Sequence, residues 1–281
     1  MIKSISQWAF PGGMSYGEMF KAAAAAGFDA FEVAMDEKGG PLTLRSSERD
    51  VKKIVGAAKK HKLQIAGLAT GLFWRYQYTD DDPELRKKAR QITRRMLKAA
   101  NWLGVDAILV VPGMTWRQST GEKVRYDVAY DRALGELQGL ARDAERHQVA
   151  IGVENVWNRF LLSPLEMRDF IDKIGSNYVK VYFDVGNVLQ YSVPEHWIEI
   201  LGKRIVRVHV KDFKLSIGNM DGFVDLLAGD VDWPAVMAAL RKIGYNSFCT
   251  VEIGPYQFHS TVRLKAMSQA MDVILAMGKG R

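Results

Sequence analysis

The sequence predicts an α/β protein in which one (β/α)8 barrel takes up the whole chain. Short apolar runs rich in β-branched and aromatic residues alternate with helical segments from end to end, which is the pattern of parallel strands joined by helices. Eight such units fill the 281 residues, a common length for this barrel. No linker, change of composition or low-complexity segment divides the chain, so we expect a single domain over residues 1–281.

A doubly wound open sheet is the competing fold. Such a sheet normally carries a glycine-rich phosphate loop, G-x-G-x-x-G, after its first strand. The corresponding stretch here contains Pro11, Gly12 and Gly13 and is too short for that motif. The barrel is therefore preferred.

The first four strand–helix units follow in order. The first helix is rich in alanine and should end at Gly27, and Pro83 suits the first position of a long helix. The predicted strands are Ile2–Trp8, Phe28–Ala34, Leu63–Ala69 and Asp106–Val111. The predicted helices are Tyr16–Ala26, Glu48–His61, Pro83–Leu103 and Asp127–His147.

The last four units are built in the same way. Ser163 should cap a helix that begins at Pro164, and Glu166 should complete a reciprocal capping box. The predicted strands are Val149–Glu154, Val179–Asp184, Ile205–His209 and Phe248–Glu252. The later helices are Pro194–Leu201, Trp233–Ile243 and Ser260–Met277.

Each of the last four strands ends in a residue that can bind a metal. These residues are Glu154, Asp184, His209 and Glu252. Any one of them could be a helix cap or a buried hydrogen-bonding group, but four at equivalent strand ends indicate a shared site. The carboxyl ends of barrel strands face one mouth, so the four side chains can reach one ion. Three carboxylates and an imidazole suit one divalent cation, with Mn²⁺ as first choice and Mg²⁺, Co²⁺ or Zn²⁺ as alternatives.

Two of these ligands are also candidates for catalysis. Glu154 and Glu252 end the fifth and eighth strands, so they should approach a bound ion from opposite sides. One carboxylate could remove a proton from one face of a substrate, and the other could return a proton to the opposite face. The metal would hold two vicinal oxygens and stabilise an enediolate. This arrangement predicts epimerisation beside a carbonyl.

Polar and aromatic residues close to the strand ends are candidates for substrate binding. They are Trp8, Trp74, Trp116, Asn158, Arg159, Asn187, Lys211 and Lys214. The polar members could contact hydroxyl and phosphate groups, and the aromatic members could wall a sugar-sized pocket. Hydrogen bonds that support the ligands, loop solvation and core packing explain the same residues nearly as well, so both interpretations stay open.

Composition restricts the class of partner. The formal net charge of +7 favours a phosphorylated small-molecule substrate over nucleic acid, although a solvated basic surface would give the same balance. No apolar run approaches the ~18 residues of a membrane span, and the N-terminus lacks the pattern of a signal peptide. The single cysteine, Cys249, is interpreted as a buried structural thiol in a reducing compartment. We therefore expect a cytoplasmic protein with no nucleic-acid or membrane partner.

Several longer runs are specific enough to compare with known families. They are VENVWNRFLLSPLEMRDFID, VYFDVGNV, RVHVKDFK, GDVDWPAVMAALRKIGY and VEI, together with GLFWRYQYTDDDPELRKKA and LVVPG. These runs span most of the chain and resemble the sugar-phosphate isomerase/epimerase family of xylose-isomerase-like TIM barrels. They are most similar to the branch of L-ribulose-5-phosphate and L-xylulose-5-phosphate 3-epimerases and hexulose-6-phosphate isomerases.

The resemblance implies a function and a site. In the family, Glu, Asp, His and Glu at the ends of strands five to eight hold the metal, which carries over to Glu154, Asp184, His209 and Glu252. The first and last of these are also the family's acid/base pair. The implied protein is a divalent-metal-dependent isomerase acting on a sugar or sugar phosphate, and a dimer or tetramer is expected.

Departures from the family pattern leave alternatives open. Asn187 stands where many relatives have histidine, so no histidine that contacts substrate can be transferred. Of five histidines, only His209 lies at a strand end, which argues against the three-metal site of related apurinic endonucleases. A 1,2-aldose–ketose or hydroxypyruvate-type isomerase would use the same site. An inactive sugar-binding or regulatory barrel is the alternative of another class.

Overall fold

A closed barrel of eight parallel strands forms the centre of the molecule. The computed structural model describes residues 1–117 and 120–278. The barrel strands are β1 (Ile2–Ser6), β2 (Ala30–Ala34), β3 (Gln64–Ala69), β4 (Ala107–Val110), β5 (Ala150–Glu154), β6 (Val179–Asp184), β7 (Ile205–Val210) and β8 (Phe248–Val251). Strands adjacent in the chain pair with each other, and β8 pairs with β1 to close the ring. The predicted (β/α)8 barrel is confirmed.

Helices connect the strands, and all but the short α6 surround the barrel on its outer side. In the described part of the chain they are α1 (Tyr16–Ala26), α2 (Glu48–Lys60), α3 (Pro83–Leu103), α4 (Tyr126–His147), α5 (Pro164–Ile174), α6 (Val185–Leu189), α7 (Pro194–Leu201), α8 (Trp233–Lys242) and α9 (Ser260–Ala276). Local chemistry sets their ends. The side chain of Ser15 caps α1 in a reciprocal box with Glu18, and Gly27 ends that helix at φ 93°, a left-handed conformation that glycine adopts without strain.

Seven of the eight predicted strands differ from the structure by one or two residues at an end, and two of these differences, in β1 and β8, concern residues of the predicted site. Strand β1 ends at Ser6 rather than Trp8, because Gln7–Ala9 forms a 3₁₀ turn that the Ser6 side chain caps. Glu252 lies one residue beyond β8. Both differences occur where the strands open into the barrel mouth.

The capping box predicted at α5 is half formed. Ser163 Oγ accepts a hydrogen bond from the Glu166 backbone N–H at 3.2 Å. The Glu166 carboxylate, however, accepts from the Leu162 backbone N–H and from the Tyr126 hydroxyl. The glutamate therefore links α5 to α4 instead of returning to the cap residue.

Two elements at the barrel mouth were not predicted. The short helix α6 directly follows β6, and an antiparallel ribbon pairs Asp212–Phe213 with Phe223–Val224. Trp157 packs against Phe213 and Phe223 of this ribbon, with ring centroids 5.3 and 5.1 Å apart. The ribbon is thereby held over the carboxyl ends of the strands.

Large aromatic side chains are buried in the core. The largest fully buried side chains include Trp197, Tyr78, Tyr182, Phe20 and Phe31.

Cys249 is buried and unpaired, and burial raises the pKa of its thiol to about 12, which agrees with a structural role. Over residues 1–117 and 120–278, no helix is long and apolar enough to cross a membrane.

Candidate metal centre and active-site mouth

The four predicted ligands converge at the carboxyl ends of β5 to β8. One ligand atom from each of Glu154, Asp184, His209 and Glu252 lies within 4.8 Å of the other three. His209 Nδ1 is 2.7 Å from Glu252 Oε2, 3.0 Å from Glu154 Oε1 and 3.9 Å from Asp184 Oδ2. The side chains of Asp184 and His209 are fully buried, and that of Glu252 is the most open, at 19% exposure. The geometry thus joins residues that are up to 98 positions apart in sequence.

The two carboxylate oxygens of Asp184 have different roles. Its Oδ1 accepts a 2.8 Å hydrogen bond from the Asn187 backbone N–H and so caps α6. Its backbone N–H donates to Asn155 Oδ1 at 2.9 Å, and the Asn155 amide returns a 2.8 Å bond to the Asp184 carbonyl. These contacts fix the carboxylate between β5 and β6 and leave Oδ2 to face the other ligands.

A buried carboxylate on the opposite wall of the barrel orients His209. Glu32 on β2 is fully buried, and its oxygens lie 3.0 and 3.1 Å from His209 Nε2. A carboxylate only accepts hydrogen bonds, so Nε2 carries a proton and Nδ1 is directed at the ligand cluster. The Tyr182 hydroxyl donates to the same glutamate. Gly152 makes room for Tyr182, because a Cβ there would lie 2.8 Å from its ring.

The side chains present fit a divalent cation. Asp184 Oδ2 and Glu252 Oε2 are buried and accept no hydrogen bond of acceptable geometry, and such unsatisfied buried oxygens are rare. Lys211 Nζ lies 3.2 and 2.9 Å from these two oxygens, which is close enough for ion pairing. Three carboxylate oxygens and one imidazole nitrogen are the donors that Mn²⁺, Mg²⁺, Co²⁺ or Zn²⁺ accept.

The two glutamates differ in electrostatic environment. Burial raises the pKa of Glu154 to about 7, although the neighbouring His209 opposes the rise. Burial acts in the same direction on Glu252, but Lys211 and His209 outweigh it and lower the pKa of that carboxyl to about 2. The pKa of His209 stays well above its usual value in spite of burial, because Glu32 and Glu252 flank the ring. The surroundings of the two carboxyl groups thus differ mainly through Lys211, whose Nζ lies 2.9 Å from Glu252 Oε2.

A cavity of about 560 Å³ opens directly onto the cluster. Its polar lining includes Glu154, Glu252, Asn187 and Lys211, and the predicted contacts Trp8 and Trp74 form part of its apolar wall. This size and mixture of groups are typical of a small-molecule site. Lys211 can lie here because residue 186 is glycine, where a Cβ would be 2.7 Å from the Lys211 Cβ.

A second cavity, of about 600 Å³, adjoins the first and contains two more of the predicted contacts. The two cavities share Trp74, Val156 and Trp157 as walls, and the second is also lined by Trp116 and Arg159. The guanidinium of Arg159 lies 4.3 Å from the centre of the Trp116 ring. The mouth therefore extends from the predicted metal ligands towards the loops after β4 and β5.

The remaining two predicted contacts point elsewhere in this structure. The Asn158 side chain donates to the Gly113 carbonyl at 2.6 Å and accepts from the Phe160 backbone N–H at 3.1 Å. Lys214 pairs with Asp230. Neither residue lines the two mouth cavities, and both have partners within nearby loops. Their role in substrate binding stays a prediction.

Sequence reasoning missed some residues of this region. Glu32 lies inside the otherwise apolar run FEVA. The run gives no sign that the Glu32 side chain points into the barrel. Arg263, on α9, lines the first cavity and pairs with Asp225. The ribbon adds Phe223 and Val224 to the same lining. Only the charge of Glu32 in a buried strand could have drawn attention to it.

Replacing Glu32 by glutamine should weaken metal binding about 10–100-fold. The amide can donate as well as accept, so it no longer selects the His209 tautomer whose Nδ1 is free to coordinate. Calorimetric titration of metal-free protein with Mn²⁺ measures the change, and a melting curve confirms that the variant is folded. Glu48→Gln is the matched control, because Glu48 is half-exposed and pairs with Lys52 on α2. An unchanged dissociation constant for Glu32→Gln would refute the orienting role.

Comparison with known proteins places the chain in a family. The sequence model described as "Xylose isomerase-like TIM barrel" matches residues 20–277. SgbU of Escherichia coli (strain K12), named as a candidate L-ribulose-5-phosphate 3-epimerase, is 25% identical over 246 residues, or 85% of this chain and 84% of that protein. The L-ribulose-5-phosphate 3-epimerase UlaE of Salmonella paratyphi C (strain RKS4594) is 24% identical over 262 residues, or 90% and 84% of the two chains.

A solved structure shows the same fold. The D-psicose 3-epimerase from Clostridium cellulolyticum H10, in a structure with D-tagatose, superimposes with a TM-score of 0.80 at 17% identity, and all of both chains is covered. The family resemblance inferred from the sequence is confirmed by these matches. The chain belongs to the xylose isomerase-like TIM barrel family.

Proposed function

We propose that this protein is a divalent-metal-dependent 3-epimerase of a ketose phosphate. One observation carries the proposal: two glutamates from opposite ends of a four-strand arc present carboxylate oxygens to one ligand cluster. Glu154 ends β5 and Glu252 follows β8, with β6 and β7 between them. The pair is therefore suited to act on opposite faces of a bound substrate, one glutamate as base and the other as acid, with the roles exchanged for the opposite epimer.

The protein groups have separate tasks in the proposed reaction. A divalent ion, when bound, supplies a Lewis acid that polarises the substrate carbonyl. Glu154 directs Oε1, and Glu252 directs Oε2, at His209, so the second oxygen of each carboxylate remains for the substrate. One glutamate removes the proton from the carbon beside the carbonyl, and the other returns a proton to the opposite face. The carbon ends with inverted configuration, and solvent resets the two carboxyl groups.

Surrounding residues would bind and shield the substrate. Trp8, Trp74 and Trp157 wall the cavity, and the ribbon covers one side, which excludes water from the reacting carbon. Asn187 and Lys211 line the same cavity, and in this proposal they donate hydrogen bonds to sugar oxygens. The names of SgbU and UlaE refer to L-ribulose 5-phosphate, which supports a phosphorylated ketopentose as the substrate of this chain.

Solvent exchange tests the proposal. We expect the metal-loaded protein to incorporate deuterium at carbon 3 of L-ribulose 5-phosphate or L-xylulose 5-phosphate in deuterated water, with formation of the other epimer. Proton NMR after the metal is removed from the quenched reaction reports both. Exchange at carbon 1 would instead indicate 1,2-isomerisation. No exchange with any ketose or ketose phosphate would reject an epimerase and favour a barrel that only binds sugars.

A further inference from the structure

We propose that Arg159, stacked on Trp116 in the second mouth cavity, binds the terminal phosphate of the substrate. This inference rests on the proposed function, since it places the end of the substrate that lies away from the reacting carbon. Arg159 would then be the residue through which the protein distinguishes a phosphorylated sugar from a free sugar.

Charge balance separates Arg159 from the other cations of the mouth. Lys211 lies between Asp184 and Glu252, and Arg263 pairs with Asp225. Arg117 pairs with both Asp80 and Glu122. Within residues 1–117 and 120–278, the cations that line the two cavities are Lys211, Arg263, Arg117 and Arg159. Arg159 is the one of these four whose side-chain nitrogens have no carboxylate oxygen within 4.0 Å. Its positive charge is therefore available to an anionic ligand.

The loop that carries Arg159 is held in an uncommon conformation. Arg159 has φ 58° and Leu161 has φ 53°, left-handed values that cost free energy in residues with a Cβ. The side chain of Asn158 spans the loop by bonding the Gly113 carbonyl and the Phe160 N–H. Thr115 Oγ donates to the Arg159 carbonyl at 2.9 Å. These bonds keep the backbone in place and project the arginine side chain across Trp116.

The stacked guanidinium is prepared to bind an oxyanion. Its central carbon lies over the Trp116 ring, 4.3 Å from the ring centre, and the exposed Arg159 is part of the cavity lining. Such a contact restricts the side chain and leaves guanidinium N–H groups for a ligand. An arginine edge matches phosphate oxygens with two parallel hydrogen bonds. Less side-chain entropy is then lost on binding, because the aromatic ring has already ordered the arginine.

The second cavity adjoins the cavity at the reacting centre and shares three wall residues with it. Val156 and Trp157, which both cavities share, lie between Glu154 and Arg159 in the chain. In this proposal a linear ketose phosphate, with its carbonyl end at the predicted metal ligands, extends past Trp157 into the second cavity. Lys214, another cation predicted to contact the substrate, pairs with Asp230 outside both cavities and does not compete for this role.

Binding of two unreactive ligands tests the inference separately from catalysis. Ribitol 5-phosphate and ribitol have no carbonyl and cannot be epimerised. We expect the metal-loaded wild-type protein to bind the phosphate at least about tenfold more tightly than the free alcohol, and Arg159→Met to remove that difference. Arg159→Lys should retain part of it. Arg142→Met is the control for loss of one positive charge, because Arg142 is exposed in the C-terminal half of α4, at the other end of the barrel.

Kinetics provide the second measurement. If wild type epimerises ketopentose phosphates, Arg159→Met should lower kcat/KM for the phosphate about 10–100-fold and change kcat/KM for the free ketopentose much less. A wild-type protein that prefers ribitol 5-phosphate through Arg159 but epimerises nothing would overturn the proposed function and leave the subsite standing. Equal affinity of wild type for the two ligands, or a preference that survives in Arg159→Met, would overturn the subsite.

Discussion

Replacing either Glu154 or Glu252 by glutamine should lower kcat by at least about 10²–10⁴-fold, the usual contribution of general acid–base catalysis. Glutamine keeps a carbonyl oxygen that can coordinate a metal but cannot exchange a proton at neutral pH. The two variants should differ in partial reactions. With one epimer, loss of the base abolishes exchange with solvent, whereas loss of the acid leaves slow exchange with retained configuration. The roles of the two variants should be reversed when the opposite epimer is the substrate.

Metal content must be measured in both variants, so that loss of the ion is not mistaken for loss of proton transfer. Glu195→Gln on α7 is a suitable control, because this residue lies on the outer helical layer. If either site variant keeps its metal and turns over both epimers at near wild-type rates, that glutamate is only a ligand, and the two-base mechanism is wrong.

Replacing His209 by alanine should remove the metal and with it all measurable epimerisation. The imidazole supplies the single nitrogen ligand, and its loss leaves Glu154 and Glu252 near each other in a buried site without the group that now pairs with both. Elemental analysis of purified protein is the measurement. We expect about one equivalent of divalent metal per chain in wild type and a strongly reduced amount in His209→Ala.

His196→Ala is the matched control, since His196 is exposed on α7. That variant should keep the wild-type metal content and melting temperature. Equal metal content in wild type and His209→Ala would show that these four residues do not form the metal centre. A circular dichroism spectrum of His209→Ala separates metal loss from a failure to fold.

The convergence of Glu154, Asp184, His209 and Glu252 could be predicted from sequence because a simple rule positions them. Residues at the carboxyl ends of consecutive barrel strands face one mouth, and Asp184 and His209 are even direct neighbours in the strand register. Glu32 could not be found in this way. Strands buried on both faces have no alternation of polar and apolar residues, so the sequence does not indicate which side chains of β2 point into the barrel.

Loop side chains were harder to predict for a different reason. A residue type limits the chemistry of a side chain, but local hydrogen bonds determine its direction. Lys214 turns towards Asp230, whereas Arg159 stacks on Trp116, and nothing in the sequence distinguishes these outcomes. The ribbon was missed because each of its strands has two residues, which is too short for any periodic signal.

The most direct test of the account is the dependence of proton exchange on one bound metal ion. Protein stripped with a chelator should neither epimerise a ketopentose phosphate nor exchange its carbon 3 proton with deuterated water. Addition of Mg²⁺ or Mn²⁺ should restore both activities, and the titration should saturate at one equivalent per chain in wild type and fail in His209→Ala. Exchange at carbon 3 that persists in the stripped protein, with metal content verified to be negligible, would contradict the central claim.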